Sequence, residues 1–152
     1  MATPQEKLAK ALEALQNLQQ YTDTTIINAS DLSSPHKKLL KSNGFIREII
    51  KGWYIAIRPD ERDGDTTSWY MSFWKFVSAY INSRFGTNWC LSPEQSLMLH
   101  SGNTNIPKQL LVRSPYANNN IVKLLHGTSI LDNKLEIINQ SFRTTKDGLQ
   151  LY

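Results

Sequence analysis

Three lysines and a histidine crowd into six residues of this sequence: His36, Lys37, Lys38 and Lys41. Arg47 and Lys51 follow a few positions on. Side chains of this kind neutralise phosphates, and the long ones also reach base edges in a DNA groove. Between Ser30 and Arg58, six Lys/Arg (Lys37, Lys38, Lys41, Arg47, Lys51, Arg58) stand against two acids (Asp31, Glu48). That is +4, the net charge of the whole 152-residue chain, so the remainder sums to zero. Charge gathered in one stretch is the electrostatic footprint of a nucleic-acid contact. A solvated helix face carries similar lysines, so the order of elements around them has to decide.

Other chemistry finds little support. His36, His100 and His126 lack metal-ligand spacing, and Cys90 is the single thiol. The acids of the loop Arg58-Pro59-Asp60-Glu61-Arg62-Asp63-Gly64-Asp65 lack the spacing of a calcium loop and alternate with arginines. There is no Gly-x-Ser-x-Gly, no Walker loop and no Gly-x-Gly-x-x-Gly. No catalytic residue, metal site or cofactor is expected, and the chain is not expected to be an enzyme. Cys90, between Trp89 and Leu91, reads as a buried small hydrophobe, and a lone thiol fits a reducing cytoplasm. The first ten residues lack an apolar core for a signal peptide, and no uncharged run approaches about 18 apolar residues. A cytoplasmic protein without a membrane partner is expected.

The elements that position the cations can be read from the pattern. Ser34 is an N-cap candidate and Pro35 suits the first helical position. Leu39 and Leu40 turn inward, and Asn43-Gly44 closes the helix. Phe45 to Ile50 and Trp53 to Ile57 are β-branched and aromatic, with Lys51-Gly52 as a two-residue turn. Upstream, Glu6 to Gln20 carries Leu8, Leu12, Leu15 and Leu18 on one helical stripe. Thr22 to Ala29 reads as a short strand or the lead-in to a short second helix. A scaffold helix, a basic helix and a two-stranded ribbon outline a winged helix-turn-helix over residues 1–58, whose basic helix enters the major groove.

Residues 59–66 read as a linker, and 67–152 as an α+β region of helices and a small antiparallel sheet packed on the first part as one unit. Ser68 to Phe85 is a long helix with two apolar faces: Trp69, Phe73, Phe76, Tyr80 and Tyr70, Trp74, Val77, Ile81. Trp89 to Leu91 is a short strand, and a helix capped by Ser92 runs to His100 and stops at Gly102. Ile106 to Val112, Asn120 to Leu125 and Glu136 to Thr144 read as strands. Asp147-Gly148 turns into a last strand, Leu149 to Tyr152. The chain is expected to be the N-terminal piece of a longer polypeptide.

Leu39-Leu40-Lys41-Ser42-Asn43-Gly44-Phe45-Ile46 with Lys51-Gly52-Trp53-Tyr54 resembles the helix-wing segment of AbiEi-type antitoxins and regulators. Trp89-Cys90-Leu91-Ser92-Pro93-Glu94-Gln95-Ser96-Leu97, with Leu110-Leu111-Val112-Arg113, is similar to the N-terminal region of long bacterial Fic-family proteins. The resemblance spans about Leu39 to Tyr152. It implies a bacterial winged-helix module of transcription regulation or toxin-antitoxin type, on a parent protein whose C-terminal domain transfers AMP. The Fic catalytic loop, His-x-Phe-x-(Asp/Glu)-Gly-Asn-Gly-(Arg/Lys), does not occur here. Ser101-Gly102-Asn103-Thr104 shares only Gly-Asn with it.

Two functions are therefore expected in competition. In the first, His36, Lys37, Lys38, Lys41, Arg47 and Lys51 contact double-stranded DNA, its own promoter first. In the second, the chain is a protein-interaction or regulatory domain that docks on the parent's C-terminal Fic-type domain or forms a homodimer. An exposed patch of Trp69, Tyr70 and Trp74 would favour the second.

Overall fold

The computed structural model describes residues 2–22, 25–62, 64–136 and 143–152. The chain is α+β and divides into two compact units, Met1–Ser72 and Phe73–Tyr152. The division falls inside a helix, whereas the sequence reading set it at the loop 59–66.

In the N-terminal unit, helix α1 spans Pro4–Thr22. It starts before the expected Glu6 because Thr3 and Glu6 cap it reciprocally. The Glu6 amide donates to Thr3 Oγ1 (3.2 Å) and the Thr3 amide donates to Glu6 Oε2 (3.1 Å). Ala11 and Leu15 are buried, with Leu12 and Leu18 packed beside them. Strand β1 (Ile26–Asn28) leads into a 3-10 turn (Ala29–Asp31), which is all that forms of the expected second helix. Asn28 caps that turn, accepting from the Ser30 amide (3.0 Å). Helix α2 (Ser34–Ser42), strand β2 (Ile46–Ile50) and strand β3 (Trp53–Ala56) follow.

The three strands form an antiparallel sheet in the order β1-β3-β2. Ile26 pairs with Ile55 and Asn28 with Trp53; on the other side Ile46 pairs with Ala56 and Ile50 with Trp53. The β2–β3 register shifts between Glu48 and Ile50, where one residue bulges. Ala11 and Leu15 of α1, Ile27 of β1, Leu32, Leu40 of α2 and Ile46 of β2 make one apolar cluster. Burying a side chain such as Leu40 in full is worth about 1.5–3 kcal/mol, so this cluster is what locks α2 on the sheet.

Helix α3 (Thr67–Phe85) begins in this unit and continues into the next. Trp69 is 1% exposed, and the Thr25 and Ser72 hydroxyls hydrogen-bond. In the C-terminal unit come β4 (Cys90–Leu91), α4 (Pro93–His100), β5 (Gln109–Ser114), β6 (Ile121–Lys123), β7 (Ser129–Lys134), β8 (Thr144–Lys146) and β9 (Leu149–Leu151). As expected, Ser92 caps α4, accepting from the Gln95 amide (3.3 Å). Asp147-Gly148 joins β8 to β9 with both residues at positive φ, as a tight hairpin turn needs.

The main sheet of this unit corrects the expectation of a small antiparallel one. Its order is β4-β5-β7-β6, and β5 runs parallel to β7, from Gln109↔Ser129 to Ser114↔Lys134. β6 makes the return pass and pairs antiparallel on the outer side of β7. β7 went unread because Leu131-Asp132-Asn133-Lys134 has the composition of a loop. Asp132 is nevertheless fully buried, since Arg84 of α3 meets it (Nη2 to Oδ2, 2.8 Å) and the Asn120 amide donates to it (2.8 Å). Of the expected strand Glu136 to Thr144, residues 137–142 lie outside the described residues. Glu136 is not in a strand, and Thr144 opens β8.

Candidate nucleic-acid interface

Helix α2 begins one residue before the position the sequence suggested. Ser33, not Ser34, is its N-cap, with extended backbone and Oγ accepting from the His36 amide (3.4 Å). Pro35 then sits in the first turn, where its missing N–H leaves nothing unsatisfied. At the other end Asn43 is the C-cap, and Gly44, at φ +80, takes the left-handed position after it.

Leu40 points to the core, and this fixes what the rest of the helix presents. Ser34, Lys38, Lys41 and Ser42 are exposed, at spacings of three, four and seven residues that place them on one stripe. His36 and Lys37 flank the buried side and are half-buried. Ser34 and Ser42 were not among the expected contact residues. Their signal was available in the spacing from Lys38 and Lys41, once Leu40 is taken as the inward direction.

Lys37 departs from its expected role. Its Nζ donates to the carbonyl oxygen of Ala29 in the 3-10 turn (2.8 Å), so its charge is committed inside the unit. The Ala29 amide in turn donates to the Gly52 carbonyl oxygen in the β2–β3 turn (2.8 Å). Through Ala29, the first turns of α2, the 3-10 turn and the hairpin tip are held at one end of the unit. Lys51 is exposed at that tip, and Gly52 has φ +91, a conformation that a side chain would strain. Because β1 pairs with β3 up to Asn28↔Trp53, the hairpin does not run on past the sheet. A ribbon this short brings Lys51 beside the helix but cannot itself lie deep in a groove.

Lys41 faces Glu48 of β2 across 3.5 Å, both side chains about half exposed. Arg47 lies half-buried on β2 opposite Ile55. Among the described residues, Lys38 and Lys51 make no hydrogen bond or ion pair with their side chains, which leaves both amines to solvent. The six expected residues therefore differ. Lys38 and Lys51 project, Lys41 is shared with an acid, His36 and Arg47 lie at the margin, and Lys37 is an internal tie.

The histidines, acids and thiol of the other described residues do not gather into a metal site. No three of their His, Cys, Asp or Glu side chains could hold a metal ion. His100 Nε2 bonds the Tyr152 carbonyl oxygen (2.6 Å), and His126 lies in a separate 3-10 turn at positive φ. Cys90 is fully buried, and desolvation pushes its thiol up to about 11 against the opposing pull of Arg143 and Arg113. It is therefore a protonated core residue at neutral pH. The aromatic patch on α3 does not form as a trio. Trp69 is buried, and Trp74 is half-buried with its indole N–H donating to the Thr104 carbonyl oxygen (2.9 Å), leaving Tyr70 exposed. No helix among the described residues is long and apolar enough to cross a membrane. No family model, curated protein or solved structure matches the chain.

Proposed function

We propose that the N-terminal unit is a winged helix-turn-helix that binds double-stranded DNA and serves transcription regulation of an antitoxin-like kind. Helix α2 enters the major groove with Ser34, Lys38, Lys41 and Ser42 leading. Lys51, at the hairpin tip, neutralises a flanking phosphate, with Arg47 behind it. The element order supports this reading: a scaffold helix, a strand, a one-turn second helix, the basic helix and a hairpin, with strand order β1-β3-β2. The observation that carries it is the double use of Ala29. One residue takes a bond from α2 and gives one to the hairpin turn, which holds the first turn of the basic helix and the hairpin tip together at one end of the unit.

The chemistry of these side chains suits phosphates and guanine edges, which accept from lysine. Replacing Lys38 and Lys41 together by Glu should abolish binding to a labelled duplex from the protein's own promoter, measured by fluorescence anisotropy. Equal binding by the unmodified chain and the double variant removes α2 from the interface and overturns the proposal.

A further inference from the structure

The loop after α3 and the β8–β9 hairpin border a polar cavity of about 300 Å3, lined by Thr87, Arg143, Thr144, Thr145 and Gln150. None of these described lining residues is an acid. Arg143 donates through Nη1 to the carbonyl oxygens of Thr87 (3.3 Å) and Trp89 (3.5 Å), neutral acceptors that leave its charge uncompensated. Its Nε is buried without a hydrogen-bond partner. Arg143 forms no ion pair among the described residues, and the sequence from 137 to 142 contains no Asp or Glu.

A second arginine of the unit, on β5, is in a similar condition. Arg113, the cross-strand neighbour of Cys90, donates to the Tyr152 hydroxyl (3.3 Å) and also has no carboxylate partner among the described residues. Arg143 donates to the carbonyl oxygen of Trp89 and Arg113 pairs across from Cys90, so both arginines attach at the start of β4. Across the hairpin, Thr145 Oγ1 donates to Gln150 Oε1 (3.2 Å), which leaves the Gln150 amide nitrogen as a donor. A guanidinium without a carboxylate partner among the described residues, the Thr87 and Thr144 hydroxyls and the Gln150 amide, with no acid among them, form a donor set that selects oxyanions.

We infer that this cavity binds a small phosphate-class oxyanion, either free phosphate or a small phosphate monoester. Arg143 supplies the charge, and the Thr87 and Thr144 hydroxyls and the Gln150 amide supply hydrogen bonds. The volume is at the lower end for ligand sites, so a small molecule fits and a nucleic-acid strand does not. The site shares no residue with the cations of α2 and the hairpin, and it stands whether or not those bind DNA.

The test is isothermal titration of the full chain with inorganic phosphate and, separately, with glycerol 3-phosphate, against chloride at matched ionic strength. Binding of either phosphate but not chloride is expected, and the tighter of the two identifies the source. Arg143→Met should abolish binding. Thr144→Val, which keeps the shape, should weaken it by about tenfold, the worth of a hydrogen bond to a charged group. Lys38→Glu should bind as the unmodified chain does. If Arg143→Met fails to fold, Thr144→Val decides: weakened binding supports the site and unchanged binding overturns it. No phosphate binding by the unmodified chain, or loss in Lys38→Glu, also overturns it.

Discussion

Lys37 and Lys38 are neighbours of equal charge, and the structure makes them opposites. Lys37→Met keeps the aliphatic stem and removes the 2.8 Å bond from Nζ to the Ala29 carbonyl oxygen. A hydrogen bond to a charged group is worth about 1.5–3 kcal/mol, and a part-buried one belongs at the lower end. For a chain of this length, a destabilisation of about 1.5 kcal/mol lowers the melting midpoint by about 3–6 °C. Lys38→Met touches an exposed amine and should stay within about 0.5 kcal/mol of the unmodified protein. On DNA the order reverses. Removing one lysine–phosphate interaction makes the slope of log K against log salt shallower by about 0.9. Lys38→Met should show that change, and Lys37→Met should keep the original slope even if its looser 3-10 turn lowers affinity. Thermal melts by circular dichroism and anisotropy at several salt concentrations read both effects. If Lys37→Met leaves the melt alone and makes the slope as shallow as Lys38→Met does, the internal tie is not made and the reasoning fails.

Three further outcomes follow. Glu48→Gln releases Lys41 and removes a like charge from the phosphates, so DNA affinity should rise and the salt slope steepen, while stability moves by less than about 1 kcal/mol because the pair is exposed; weaker binding would mean that Glu48 holds Lys41 in place. Asp132→Ala strands Arg84, which is one-quarter exposed, and leaves the Asn120 amide without its side-chain acceptor, so urea unfolding should show a destabilisation of about 3 kcal/mol; an unchanged midpoint contradicts the buried pair. Cys90 keeps its proton in the folded state up to about 11 against an ordinary 9.0, so stability should fall as pH rises between those values, and Cys90→Ala should lack that fall.

What the sequence showed and what it hid divide along one physical line. Local signals held. The leucine stripe gave α1, Ser92-Pro93 gave the start of α4, and Lys51-Gly52 and Asp147-Gly148 gave tight turns, because capping and positive φ are decided by a few adjacent residues. The basic helix was legible within one residue, but Ser33 and Ser34 are chemically equivalent as caps and only the backbone tells them apart. Non-local compensation was not legible. Asp132 belongs to a strand because Arg84, far off in sequence, meets it. The parallel pairing of β5 and β7 depends on where β6 returns. The candidate cations divide at the same point: Lys37 differs from Lys38 only through the carbonyl of Ala29, and Lys41 only through Glu48 on the next strand.

The salt dependence of DNA binding tests the central claim most directly. With Lys38, Lys41, Arg47 and Lys51 as the cations that meet phosphates, a plot of log K against log salt for the unmodified chain on a promoter duplex should have a slope of about −3 to −4. A slope near zero, or no binding at low salt, would contradict the assignment of the N-terminal unit to DNA.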